Sequence, residues 1–488
     1  MKTIRYISLG LVMALSLFAS AGCAVEPSTN SNSNAVSSNS PSASPSPSAT
    51  PVSQAAPVTL PVLDALFSDE AFKSTLKSKI QLTDDQVAQL QKLAADEVAK
   101  LRESNMEEKT PEEQSLQTSR TRATEAIREV IGEQKTQDLF ALAHDYWGKG
   151  GEALEAGKTA PENAMLPGPN AVPKDTRIVV NIPAFRMDVF KEGSLVKSYK
   201  IGIGYPEFPL PIGLRKAQQI IFNPTWTPPD EPWVAKMKSV SVGEKVPAGS
   251  KLNPLGPIKI PIGLPSLIHG GKSPAKLGTF ASHGCVGLTS AQVQDFSRLL
   301  AQVASSEISD ATVKSYFADK TKTRVVKLDQ VVPVELRYET IVVENGQLHI
   351  YKDVYDQDSN TEENLRAVLE VNGAKLEDLS EAERAQILEA LNAMSRRPKK
   401  TLPATTASKP VGEKPTATAS TSPSATKVAD KKTTDTPGRK PIGKNQTEVV
   451  IELTAFKGKG YPAAVNLDTG SGKPATAAVA KATPSKSP

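Results

Sequence analysis

The sequence predicts a multidomain α+β chain: a helical N-terminal domain, a mainly-β domain and a helical appendage, joined and flanked by disordered segments rich in Pro, Ser, Thr and Ala. Three observations predict it. Apolar residues recur at helical spacing from Leu60 to about Gly150. From Arg177 onward they follow strand-like runs broken by turn residues. Near both ends of the chain large apolar side chains almost vanish, so those stretches cannot bury enough surface to offset their chain entropy. The 488 residues carry a formal net charge of +5, too small for this length to mark a nucleic-acid partner.

In chain order, Lys2 and Arg5 precede an apolar run, Ile7 to Phe18, that is too short to span a bilayer. That is the pattern of an export signal, placed at residues 1–23. It closes on Ala19-Ser20-Ala21-Gly22-Cys23, which resembles a bacterial lipobox, although Ser20 stands where leucine is usual. The resemblance implies lipidation of Cys23 and a membrane anchor; a plain signal peptide cut nearby is the other reading. Either way the protein is expected in the cell envelope or periplasm. Residues 24–58 read as a flexible tether.

The helical domain spans 59–150. Thr83 can cap a helix and Gln86, three residues on, can reach back to complete a capping box. Val87, Leu90, Ala94, Val98 and Leu101 then make one apolar face. Thr110-Pro111-Glu112-Glu113 is a second start, with proline at the first helical position, and Leu139 to Trp147 a third apolar run. The Leu82-Thr83-x-x-Gln86 opening resembles the repeat of periplasmic helical stress chaperones, with Ile131-Gly132-Glu133-Gln134 as a fainter second copy. A small helical domain of this kind suits a partner-binding or spacer role better than chemistry. His144 is expected to pack.

Residues 151–174 are a Gly-, Pro- and Ala-rich linker. The β domain is placed at 175–352. Arg177 to Phe190 and Leu195 to Ile203 are strand-like, with Glu192-Gly193 as a turn between them. Pro209 to Gly213, Asn223 to Trp226 and Pro228 to Trp233 add turn and edge signals. Trp226 and Trp233 are as well suited to core or rim as to a substrate contact. Arg215 and Lys216 can meet a carboxylate, but such a pair is usually solvated.

Chemistry concentrates in Ile268 to Leu288, which holds two of the four histidines and one of the two cysteines. A cysteine near histidines is a candidate thiolate nucleophile, because imidazole can take its proton. Gly270, Gly271, Gly278 and Gly284 allow tight turns that bring N–H groups toward a developing oxyanion. A buried inert thiol is one alternative. A zinc site is another, but His283 and Cys285 point to opposite faces if extended and no fourth ligand is near. Papain-like enzymes place cysteine before histidine, the reverse of the order here.

Downstream, Thr289 or Ser290 can cap a helix running to Gln302, which places Cys285 just upstream of a helix N-terminus that would favour a thiolate. Val325 to Tyr338 and Thr340 to Tyr351, with an Asn345-Gly346 turn, look like a closing hairpin. His349 on it is expected to be structural. Residues 360–395 form the helical appendage, opened by a Ser380–Glu383 capping box. Residues 396–488 are a mostly disordered basic tail, broken by an apolar run, Glu448 to Phe456, that can pair with another segment. Such a tail suits anionic wall polymers or lipid head groups.

The pattern His269-Gly270, a gap, then Ser282-His283-Gly284-Cys285 and an apolar residue resembles the signature of the L,D-transpeptidase catalytic domain. The Pro-x-Gly and Asn-Pro-x-Trp segments upstream extend the resemblance over roughly 175–300. It implies Cys285 as the nucleophile acylated by a peptidoglycan stem peptide, His269 as the general base, and Ser282, His283, Gly284 and Gly270 in support. One position departs: Gly287 stands where the family usually carries Arg or Asn. The resemblance implies peptidoglycan cross-linking, or attachment of a protein to peptidoglycan, by cysteine acyl transfer from tetrapeptide stems, and inactivation by carbapenems. An L,D-carboxypeptidase, with water as acceptor, and a non-catalytic wall-binding or chaperone-like lipoprotein remain open. With one cysteine assigned to lipid and one to catalysis, no disulfide is expected. No P-loop, dinucleotide fingerprint or ligand cluster implies a metal or cofactor.

Overall fold

Capping chemistry starts the first long helix as its sequence requires. The Gln86 N–H donates to Thr83 Oγ1 at 3.2 Å and the Thr83 N–H donates to Gln86 Oε1 at 3.1 Å. The computed structural model describes residues 58–105, 115–149, 165–228, 239–241, 243–263, 266–306, 308–395 and 446–470. Cys23, the tether, the Thr110-Pro111 helix start, Trp233 and most of the basic tail lie outside them.

Five helices form the N-terminal region: α1 (Leu60–Phe67), α2 (Glu70–Lys79), α3 (Asp84–Asn105), α4 (Ser115–Ile131) and α5 (Glu133–Lys149). Gly132, at φ +81°, ends α4 and lets α5 start at once. That explains the Ile131-Gly132-Glu133-Gln134 motif as a helix junction. Phe72, Leu76, Leu90, Ala94 and Leu139 lie in one buried core, and His144 sits half-buried beside it.

The β domain is an eight-stranded curled sheet. Its strands are β1 (Arg177–Asn181), β2 (Arg186–Lys191), β3 (Ser194–Lys200), β5 (Gly213–Phe222), β6 (Ile258–Pro261), β7 (Leu267–Lys272), β9 (Val286–Thr289) and β10 (Arg324–Arg337), in the order β3-β2-β1-β10-β5-β6-β7-β9. β1–β10 and β7–β9 are parallel pairs. A short parallel pair, β4 (Ile203–Gly204) with β8 (Phe280–Ser282), lies beside it. Gly202, just past β3, and Gly287 on β9 exchange two N–H···O bonds of 2.9 Å, so the chain leaving one edge strand reaches the other. Helix α6 (Ser290–Val303) packs Val293, Phe296 and Leu300 into the same core as Ile178, Ile260 and Ile268. The next helix is α7 (Asp310–Ala318).

The expected closing hairpin differs from the structure. β10 does not pair with Thr340–Tyr351; it runs between β1 and β5. The hairpin is the shorter β11 (Ile341–Glu344) and β12 (Gln347–Tyr351), turning at Asn345 and Gly346, both at positive φ. Together with β13 (Glu448–Glu452), the apolar run in the tail, they make a second sheet. Helices α8 (Glu362–Val371) and α9 (Glu381–Met394) bury their apolar faces on it. His349 bonds Glu448 of β13 through Nδ1 at 2.5 Å. Residues beyond β13 return to edge strand β3, where Ser198 and Lys200 bond Val465 and Asp468; this covers an otherwise open sheet edge.

The helical region docks on the β domain. Thr59 Oγ1 donates to the Glu207 carbonyl at 2.8 Å, and Arg215 bonds the Trp147 carbonyl at the end of α5. Arg215 is therefore buried rather than solvated: its strand face is covered by a helix that precedes it by a whole domain.

Candidate active site

β7 and β9 run side by side with Ile268 opposite Val286 and His269 opposite Gly287. Ile268 and Val286 are fully buried in the core. Strand alternation then turns His269 to the other face, where Gly287 and Cys285 also stand. The pairing of β7 with β9 thus brings the two ends of the motif to one face of the sheet.

His269 is 4% exposed. Its Nδ1 lies 2.7 Å from the Gly270 carbonyl oxygen. A carbonyl only accepts, so Nδ1 carries the proton and Nε2 keeps the lone pair, the form a general base needs. Burial holds the ring neutral. It lowers the imidazole pKa to about 3, helped by the charges of Lys272 and Lys259 and opposed by the carbonyls of Gly270 and Leu255.

Cys285 is a half-buried thiol. Its N–H donates to Ser282 Oγ at 3.0 Å, and that hydroxyl donates back to the Cys285 carbonyl at 2.5 Å. Ser282 therefore clamps the backbone of Cys285 and occupies its N–H. Gly284 turns the chain at φ +90°, and Ser266 Oγ donates to its carbonyl at 2.9 Å. His283 is exposed, its ring centroid 5.4 Å from that of Tyr205 and 4.7 Å from that of Phe208. Among the described residues no three His, Cys, Asp or Glu side chains gather as a metal site.

One expectation is corrected. The helix after Cys285 is capped by a Thr289–Gln292 box, but the four extended residues of β9 intervene. At about 3.3 Å per residue they carry the helix N-terminus roughly 13 Å along the chain from Cys285, beyond the reach of its partial charge. Two lysines that sequence reasoning missed supply charge instead. Lys259 on β6 stands opposite His269, and both it and Lys272 interact electrostatically with Cys285. The only signal available in sequence is the Gly270-Gly271 pair just before Lys272. Trp226 takes a rim position, exchanging N–H···O bonds with Val246.

Residues 175–326 match the model of the YkuD family, the L,D-transpeptidase catalytic domain, and this segment is a domain of that family. Three solved structures illustrate the likeness. The catalytic domain of an E. faecium L,D-transpeptidase is 16% identical, with 34% of this chain and 100% of that chain covered and a TM-score of 0.22. An L,D-transpeptidase from Mycobacterium smegmatis is 15% identical over 33% of this chain and 58% of its own, with a TM-score of 0.20. One from Mycobacterium tuberculosis H37Rv is 15% identical over 33% and 57%, with a TM-score of 0.19. No curated protein matches the chain. Among the described residues no helix is long and apolar enough to cross a membrane.

Proposed function

We propose that the protein is a lipid-anchored L,D-transpeptidase of the cell envelope that cross-links peptidoglycan through Cys285. The observation that carries this is a neutral, oriented His269 on the same sheet face as the only thiol among the described residues. His269 Nε2 takes the thiol proton, and the sulfur attacks the carbonyl carbon of the L-to-D peptide bond in a tetrapeptide stem. Backbone N–H groups around His283 and Gly284 hold the oxyanion, since the Cys285 N–H is engaged by Ser282. The C–N bond breaks, His269 returns its proton to the leaving amine, and D-alanine departs. The amine of a second stem then attacks the thioester, and its proton passes through His269 to the released thiolate. Cys23 would tether the enzyme to a membrane. The chemistry needs no cofactor.

The test is incubation of the full chain with tetrapeptide muropeptides, following D-alanine release and product mass. Equal yields of D-alanine and cross-linked dimer are expected. Release of D-alanine without dimer would make the enzyme an L,D-carboxypeptidase. Neither product from a folded chain would refute catalysis and leave a wall-binding role.

A further inference from the structure

β7 and β9 fall out of step beside the nucleophile. His269 stands opposite Gly287, but Lys272 stands opposite Thr289, so β7 takes three steps where β9 takes two. One extra residue in a strand reverses the face that the following side chain meets. Gly270 and Gly271 make this possible. Gly271 sits at φ +84°, and a Cβ there would stand 2.9 Å from the Pro254 carbonyl oxygen. In an unbroken strand Lys272 would point away from His269. The bulge returns it to the face of His269 and Cys285.

Its stem lies in the space that a side chain at Gly287 would fill. A Cβ on Gly287 would be 2.9 Å from Lys272 Cγ and 3.0 Å from Cε. The backbone of Gly287 is not in the left-handed region, so it is space and not conformation that requires glycine. Strand register places Lys259 of β6 and His269 and Lys272 of β7 on the face of Cys285, and both lysines interact electrostatically with it; His283, two residues before Cys285, packs on Tyr205 and Phe208, and Lys276, in the turn after β7, acts on Lys272.

We infer that Lys272, carried onto the site face by the Gly270-Gly271 bulge and seated over Gly287, is the cation that stabilises the thiolate Cys285 becomes when His269 takes its proton, with Lys259 as its second. The inference rests on Cys285 being the nucleophile of the proposed function. Gly287 then departs from the family motif because a lysine from the neighbouring strand occupies its place. Lys272 is a positioning charge: it acts through the thiolate rather than on substrate. A cation beside a cysteine favours the anion that attacks, and an opposite charge within about 4–6 Å moves a pKa by roughly 1–3 units.

The test is the pH dependence of Cys285 alkylation by iodoacetamide in the full chain carrying Cys23→Ser. Lys272→Met keeps the stem and removes the charge; its midpoint should rise by about one to two pH units, while Lys272→Arg stays near the parent. Lys272→Ala combined with Gly287→Arg delivers the charge from β9 instead and should bring the midpoint back down relative to Lys272→Ala. A folded Lys272→Met with the parent midpoint would overturn the inference. So would a folded double variant no lower than the single one, which covers the case in which Lys272→Met fails to fold. Alkylation needs no stem peptide. A shifted midpoint without dimer formation refutes the proposed function alone, and an unshifted midpoint with dimer formation refutes this inference alone.

Discussion

Two groups of cations on the same sheet, one largely buried and one half-buried, are neutralised differently. Where β1, β2 and β10 meet the small second sheet, each arginine is matched with carboxylates. Arg177 meets Asp175 at 2.6 Å and Glu335 at 2.5 Å, Arg186 meets Asp188 at 2.8 Å and Glu344 at 2.7 Å, and Arg337 meets Glu335 at 2.9 Å. Around Cys285, Lys259 and Lys272 make no ion pair with a carboxylate among the described residues; the group they interact with is Cys285. Burial lowers the pKa of both lysines, a penalty that no carboxylate offsets there. The first arrangement joins two sheets. The second leaves positive charge unmatched by a carboxylate beside Cys285, as the proposed thiolate chemistry requires.

The comparison breaks if the two sets of charges can exchange roles. Arg177→Met should lower stability by about 1–3 kcal/mol in denaturant titration, because buried Glu335 loses one of its two arginines and keeps only Arg337. The same variant should leave the alkylation midpoint of Cys285 unchanged, in contrast to Lys272→Met. A midpoint that moved with Arg177 would show that the site field is set by the whole sheet and not by its local lysines.

A smaller effect sharpens the contrast through pH. His269 titrates near 3 in the fold and near 6.5 when unfolded. Below pH 6.5 the unfolded chain takes up a proton that the folded chain refuses, so stability from this group is present above 6.5 and is lost as pH falls toward 3. The loss is at most about 1.4 kcal/mol per pH unit. The stability gap between the parent and His269→Asn should therefore narrow from pH 7 to pH 5. Parallel stability curves would mean that His269 takes up its proton as readily in the fold as in the unfolded chain, so that burial does not hold it neutral.

What was legible in the sequence was local. The capping boxes at Thr83–Gln86, Thr289–Gln292 and Ser380–Glu383 form as their three-residue spacing requires. The switch from helical to strand-like patterning at Arg177 is the start of β1. His269 and Cys285 stood out by residue type and by resemblance to a family motif. What was hidden depends on partners distant in the chain. β10 looked like half of a hairpin because Thr340–Tyr351 follows it directly, yet its ladder is with β1 and β5. Arg215 looked solvated because the carbonyl it bonds belongs to Trp147 on another domain. The helix beyond Cys285 seemed adjacent because sequence does not reveal that the residues between are extended. Lys272 was invisible for the same reason: only the register between β7 and β9 shows which way it faces.

The central claim is that Cys285 is a competent nucleophile in this setting. It is tested most directly by the intact mass of the full chain after incubation with a carbapenem, beside a Cys285→Ala variant. The account predicts one covalent drug adduct on the parent and none on the variant. An unmodified, folded parent, or an adduct that survives Cys285→Ala, would contradict it.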